Sequence, residues 1–307
     1  MRLGIKPIVD FVFKKIFGSP QNSAALIGLL NAILDFNDPI ESVQILNPFS
    51  YQEFAESKLI VLDVRCRDSG GRLLNVEMQV SVYAGLVERL VHYACSMYTH
   101  QLQKGGNYAL AAPAISICLL NHVLYPDTTQ AHHRFQMLDR KSNRELENAI
   151  EVHTVELTKY NLDEGSSAQR SKLEQWAFLM LRAQDYDAVT LKRLLPGIEF
   201  ETAIDTIEII SAKTEDKQMY DQREKAQRDY EWALSGAREE GREEGREQGI
   251  QFGEERGRKF AVIDSVRMLE ELLGEQQSDA GALMAKSLET LSARIIELKH
   301  QLRDRRA

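Results

Sequence analysis

The sequence predicts an α/β protein: a mixed β-sheet core flanked by helices, followed by an α-helical C-terminal region. Three observations carry this. Residues 58–82 read as two strands of alternating apolar and polar side chains around an Asp68-Ser69-Gly70-Gly71 turn. A strongly periodic helix follows over residues 84–104, closed by Gly105-Gly106. The apolar run AAPAISICLL at 111–120 then has the length and boundaries of a buried strand. Strand, strand, helix, strand in that order calls for a crossover helix, and hence a mixed sheet.

Taken from the N-terminus, PIVDFVFKKIF at 7–17 predicts a helix stopped by Gly18 and Pro20, with Asp10, Lys14 and Lys15 as its polar members. Asn22 or Ser23 can cap a second helix, AALIGLLNAIL, which is apolar on most sides and suited to burial. Pro39 ends that region, and residues 41–46 predict a strand. In the helix at 84–104, Leu86, Val87, Leu90, Ala94, Met97 and Tyr98 form the core stripe, and Arg89, Tyr93 and Gln101 give it polar ends. Strands are expected at 132–138 and 151–157. His132-His133 is no metal pair there, because neighbouring strand residues point to opposite faces. Glu164-Gly165-Ser166-Ser167 is a linker. Helices are expected at 173–182 around Trp176, at 189–195 and at 200–212.

From Glu215 the composition turns charged, and glycine recurs every fourth residue from Gly241 to Gly257. Each interior glycine costs a helix about 0.8–1.0 kcal/mol against alanine. The segment is therefore either a helix held by close contact with another or a charged flexible linker. Leu288, Leu291, Ile295, Leu298 and Leu302 alternate three- and four-residue steps, as a coiled-coil seam does, which points to self-association through the tail.

The chain has 307 residues, 43% of them hydrophobic, and a net charge of −8. That balance speaks against a protein that coats nucleic acid non-specifically, though not against an enzyme with a local basic patch. Cys66, Cys95 and Cys118 show no paired spacing and read as reduced core residues of a cytoplasmic protein. No apolar run approaches the roughly 20 residues of a membrane span, and the N-terminus lacks the features of a signal peptide.

The chemistry sits in the hairpin. Centring the turn on Gly70 pairs Asp63 with Glu77, on the same face and with β-carbons roughly 4.5–5.5 Å apart. Like charges so placed repel, and a divalent cation between them reverses the argument. Gln79 lies one step along that face. Two readings stand side by side: a two-carboxylate metal site, or a solvated polar face separated by a one-residue slip.

The chain resembles the PD-(D/E)xK nuclease family transposases, also called recombination-promoting nucleases. The resemblance starts at Asp10-Phe11-Val12-Phe13-Lys14-Lys15-Ile16-Phe17-Gly18 and continues through Leu62-Asp63-Val64 and Asn75-Val76-Glu77-Met78-Gln79. It runs on through Arg89, Tyr93, Tyr98 and Gly105 to Tyr108, then Val155-Glu156-Leu157-Thr158-Lys159-Tyr160, the Trp176 helix and the glycine-spaced tail. It implies a restriction-endonuclease-like core at residues 1–160, a helical extension packed on it at 161–214, and the charged tail at 215–307. It implies a DNA endonuclease active with Mg²⁺, tied to recombination or mobile elements, with double-stranded DNA as partner. Asp63 and Glu77 would bind the metal with the backbone carbonyl of Met78, and Gln79 would complete the catalytic set. The superfamily's usual lysine is Gln79 here, which brings no charge and cannot act as a base. A cation from elsewhere, Arg65, Lys58 or Arg89, would then assist. Asp10 would be an accessory acid, or else an ordinary helix-surface residue beside Lys14. The alternative function is an interaction protein that keeps the fold, has lost turnover and works through its helical tail.

Overall fold

A computed structural model describes residues 1–51, 63–80, 84–101, 107–146, 149–160, 162–163 and 170–305. Lys58, the first part of the hairpin's leading strand, Ser81 and Val82, Gly105-Gly106 and the 164–167 linker lie outside the described residues.

Two helices open the chain, α1 (Asp10–Phe17) and α2 (Ser23–Leu34). Asp10 in the first turn of α1 and Lys14 and Lys15 in the last suit the helix dipole. Gly18 ends it where a Cβ would meet the Lys14 carbonyl oxygen at 2.6 Å. The strands are β1 (Val43–Ile45), β2 (Asp63–Asp68), β3 (Leu73–Gln79), β4 (Ala114–Leu120), β5 (His132–Gln136) and β6 (Ile150–Glu156), with helix α3 (Leu86–Thr99) between β3 and β4. They form one six-stranded sheet in the order β1-β2-β3-β4-β6-β5. The β2–β3 and β5–β6 pairs are antiparallel, while β3–β4 and β4–β6 are parallel. The sheet is therefore mixed, and α3 is its crossover helix, as the order of elements predicts.

Helices α4 (Lys172–Arg182), α5 (Ala188–Leu194) and α6 (Ile198–Ala212) share the main core with α1 and α2. A capping box between Ser171 and Glu174 fixes the start of α4. Val64, Cys66, Leu74, Val76, Met78, Ile117 and Leu119 give one sheet face to that core. The opposite face meets α3, whose Leu86 and Leu90 pack on Cys118 and Leu120. Both faces of β3 are thereby buried, including Asn75, Glu77 and Gln79. This corrects the expectation of a solvated polar face on β3: α3 lies over it.

The chain divides into two compact units, residues 1–229 and 230–307. Helix α7 (Thr214–Leu272) begins in the first and continues into the second. The segment is thus helical, which decides against the flexible-linker reading. The five spaced glycines have nothing within 4 Å of where a Cβ would stand. In the second unit, α8 (Ala280–Met284) and α9 (Leu288–Asp304) follow α7. Leu291 and Leu298 of the expected seam are buried in a cluster with Ile263, Val266 and Leu273 of this chain, and Ile295 and Leu302 pack against it. Within the chain the seam packs against α7 through Ile263 and Val266.

Candidate active site

The turn from β2 to β3 sets the register of everything that follows. Gly71 adopts φ 82°, which glycine reaches without strain, and its N–H donates to the Asp68 carbonyl at 3.0 Å. The Asp68 side chain accepts the Arg72 N–H at 2.8 Å, closing the turn. The resulting pairs are Asp63 with Glu77, Arg65 with Asn75 and Arg67 with Leu73. This is the register that a turn centred on Gly70 predicts.

Hydrogen-bond parity adds what the register alone does not contain. The Arg65 N–H donates to Asn47 Oδ1 and its carbonyl accepts from the Leu46 N–H, so the main chain of Arg65 points toward β1. Odd-numbered β2 residues therefore turn their peptide groups away from β3. Asp63 and Glu77 form a non-hydrogen-bonded pair, the closer of the two antiparallel pair types, with α-carbons about 4.5 Å apart. On β3 the Gln79 carbonyl accepts from Asn121, on the β4 side. The Met78 carbonyl then points the other way, toward β2.

Glu77 is 1% exposed. Its Oε2 accepts from Arg89 Nη2 of α3 at 2.7 Å and from Gln79 Nε2 at 3.1 Å. The Arg89 guanidinium also lies 5.3 Å from the Tyr93 ring, one turn along α3. Arg89, one of the cations expected to assist, thus reaches Glu77 from α3, and Gln101 exchanges two hydrogen bonds with the backbone of Ala112. Cys118, paired with Glu77 across β3–β4, is a buried thiol whose pKa is raised well above its ordinary value by burial and then by the Glu77 charge.

Asp10 lies elsewhere in the network. It is 3% exposed, Oδ1 accepts the Phe11 N–H at 2.7 Å, and Oδ2 stands 3.3 Å from Arg223 Nε of α7. Burial raises its pKa, and Arg223 and the Phe11 N–H oppose the shift. The expectation of a surface residue beside Lys14 is corrected: Asp10 is an interior acid paired with α7. Nearby, Lys15 pairs with the fully buried Asp216 at 2.6 Å, and Tyr51 donates to the same carboxylate at 2.8 Å. Nothing local in the sequence signals these pairs, which join the N-terminus to residues beyond 214.

Another buried acid, on β6, carries no signal of its partners in the local sequence. Glu151 on β6 accepts a fork from Arg134 (Nε to Oε2 3.0 Å, Nη2 to Oε1 2.7 Å) and a bond from Gln136 at 3.1 Å. Its Oε2 also meets His153 Nε2 at 3.1 Å, and His153 Nδ1 meets His132 Nε2 at 2.9 Å. Burial pushes the Glu151 carboxyl up, but His153 and Arg134 outweigh it and hold the pKa at about 2. Burial, then His153, His133 and Arg134, lower His132 to about 4. His132 and His133 do face opposite ways, as strand geometry requires: His133 lies against Tyr125 instead. Alternating polar residues in both strands were the available signal, but their pairing is not local. Lys159 donates to Glu156 Oε1 at 3.0 Å and to the Tyr125 carbonyl at 2.7 Å, and pins that loop.

Among the described residues no group of three or more His, Cys, Asp and Glu side chains forms a ready metal cage. Two carboxylates and one carbonyl are nevertheless a donor set of the kind magnesium takes, because that ion keeps several waters. All three donors are hard oxygens on adjacent strands.

A family model described as PD-(D/E)XK nuclease family transposase matches residues 7–237. No curated protein and no solved structure gives a significant match. The matched stretch contains the whole sheet, α1 to α6 and the start of α7. It implies a restriction-endonuclease-like fold and supports a nuclease-like or transposase-associated role, for which DNA is the suggested substrate and a divalent metal the typical companion. No described helix is long and apolar enough to cross a membrane. The chain belongs to the PD-(D/E)XK nuclease family transposases.

Proposed function

We propose that this protein is a Mg²⁺-dependent DNA endonuclease that hydrolyses phosphodiester bonds in recombination or mobile-element activity. The observation that carries the reading is the pairing of Asp63 with the buried Glu77, opposed across a non-hydrogen-bonded position. Asp63, Glu77 and the Met78 carbonyl would hold the metal. When bound, it supplies Lewis acidity at the scissile phosphate and a lowered pKa for a coordinated water.

The chain's own residues do the rest. Gln79 fixes the Glu77 carboxylate by its 3.1 Å hydrogen bond, and its amide can also position a water or a phosphate oxygen. Arg89 is the cation that stands in for the absent lysine, since its guanidinium already lies 2.7 Å from Glu77. A guanidinium stays protonated, so it stabilises charge on phosphate without serving as base. Arg65, across the ladder from Asn75, is placed to meet the nucleic acid beside the site. Asp10, held by Arg223, contributes by fixing α1 against α7.

The second reading, an interaction protein without turnover, draws on one observation: Arg89 already neutralises part of the charge a metal would need. The test is incubation of the purified chain with supercoiled plasmid and Mg²⁺, Ca²⁺ or EDTA, beside Asp63→Ala and Glu77→Ala. Nicking or linearisation with Mg²⁺ that both substitutions abolish is the expected result. Cleavage that survives either change overturns the site, and no cleavage with any metal favours the interaction protein.

A further inference from the structure

The face of β2 that carries Asp63 also carries Arg65 and Arg67, at every second residue. Across from Arg67 on β1 stands Gln44, and across from Arg65 and Arg67 on β3 stand Asn75 and Leu73. Between the acid pair and the hairpin turn, this face therefore presents arginines, amides and a leucine, with no carboxylate. In a chain of net charge −8 such a strip is a local reversal of sign. It is also open. Val64 and Cys66 on the other face are buried, while Arg65 and Arg67 are exposed. Helix α3 packs its apolar residues on β4 and β6, not on β2.

Two arginines of the folded unit are held by acids, Arg72 by Asp68 and Arg134 by Glu151. Among the described residues the Arg67 side chain makes neither a hydrogen bond nor an ion pair, while its main chain pairs with Gln44 of β1. A second feature of the strip points to a polar guest. Asn75 is 2% exposed, yet neither amide atom has a hydrogen-bond partner among the described residues, and the Oγ of Ser116, its neighbour on β4, has none either. Buried amides and hydroxyls in folded proteins generally find a partner, so this row has room in its bonding for ordered water beside the strip.

We infer that the Asp63–Arg65–Arg67 face of β2 is the track on which one strand of duplex DNA lies, with Arg65 and Arg67 binding two successive phosphates beside the scissile one. The inference rests on the nuclease reading and assigns its substrate a direction, from the acid pair toward the hairpin turn. Two strand residues rise about 6.6 Å, comparable with the separation of successive phosphates on one DNA strand, so the two guanidiniums extend about 13 Å from Asp63. Guanidinium forks match phosphate oxygens in pairs, and such contacts fix register without reading sequence.

The experiment is fluorescence anisotropy of the full chain with a labelled duplex of about 20 base pairs, in EDTA, over a series of salt concentrations. The variants are Arg65→Ala, Arg67→Ala and Arg67→Glu, with the exposed Arg140→Ala as control. Each alanine should weaken binding about 3–10-fold and reduce the slope of log K against log salt by about 0.9, and Arg67→Glu should weaken it further. Arg140→Ala should change neither. Thermal melting guards against misfolding, which exposed positions seldom cause. Wild-type affinity and slope in Arg65→Ala and Arg67→Ala overturn the track. The outcome separates from that of the plasmid test. Neutral arginines with cleavage lost in Glu77→Ala remove the track and leave the metal site. Weakened binding with cleavage retained in Glu77→Ala removes the metal site and leaves the track.

Discussion

Glu77 and Glu151 occupy opposite faces of one sheet, and their surroundings look alike at first count. Each is buried, each receives an arginine at 2.7 Å, and each receives a glutamine amide at 3.1 Å. The difference lies in what stands across the ladder and in how the arginine arrives. Glu151 faces Gln136, and Arg134 grips both its oxygens with a fork while His153 takes a further bond. Glu77 faces Asp63, and Arg89 and Gln79 converge on the single oxygen Oε2. The first arrangement brings matched partners to a charge and holds β5 to β6. The second sets two acidic residues at opposed ladder positions, the pairing on which the proposed metal site rests. A buried acid with an arginine is thus not by itself the mark of a site.

The comparison breaks most visibly by removing the acids. On the proposed reading, in which Glu77 is a metal ligand, Glu77→Ala should lower plasmid cleavage at least about 1000-fold. Glu151→Ala should leave the cleavage rate within about threefold and reduce unfolding free energy by about 2–4 kcal/mol, because Arg134 loses its counter-charge and His153 a hydrogen-bond partner. Nicking rates and urea unfolding of both variants measure this, and loss of cleavage in Glu151→Ala at unchanged stability would erase the distinction drawn above.

Exchanging the arginines sharpens it at smaller scale. Arg89→Ala should slow cleavage about 10–100-fold with little change in stability, as expected for a partly exposed cation acting on the reaction. Arg134→Ala should leave cleavage intact and cost about 1–2 kcal/mol, less than Glu151→Ala because the arginine head is partly exposed. Single-turnover nicking beside denaturant melts separates the two effects.

Acid should act through the Glu151 side. His132 titrates at about 4 when folded and at an ordinary 6.5 when unfolded. Between those values the unfolded chain binds a proton that the folded chain does not, so stability falls as pH drops from 6.5 toward 4. Glu151, at about 2 against 4.5, adds a second loss as pH falls from 4.5 toward 2. The His132 part should amount to about 1–2 kcal/mol once solvent screening is allowed for. His132→Gln should flatten the upper part of the profile measured by chemical denaturation from pH 7 to 4.

The legible parts of this molecule are those set by neighbours in the chain. The Asp63–Glu77 register follows from a four-residue turn and strict alternation on its flanks, and every pair in it lies within fifteen residues. The helices at 172–182, 188–194 and 198–212 follow from apolar period and caps. Less legible was anything that depends on which faces meet. Alternation divides β3 into apolar and polar faces, but only the packing of α3 decides that the polar face is covered. The five-residue leucine and isoleucine seam of α9 was readable as a seam, while its partner was not.

By itself, then, the sequence determined the element order, the hairpin register and the identity of the opposed acids, because short-range sterics and periodicity suffice for each. Tertiary structure decided which charges those acids and their neighbours keep company with: Arg89 with Glu77, Arg223 with Asp10, and Arg134 and His153 with Glu151. The reason is physical. Burial makes an unpaired charge expensive, so partners must be found, but they are found across folded surfaces whose approach no local pattern encodes.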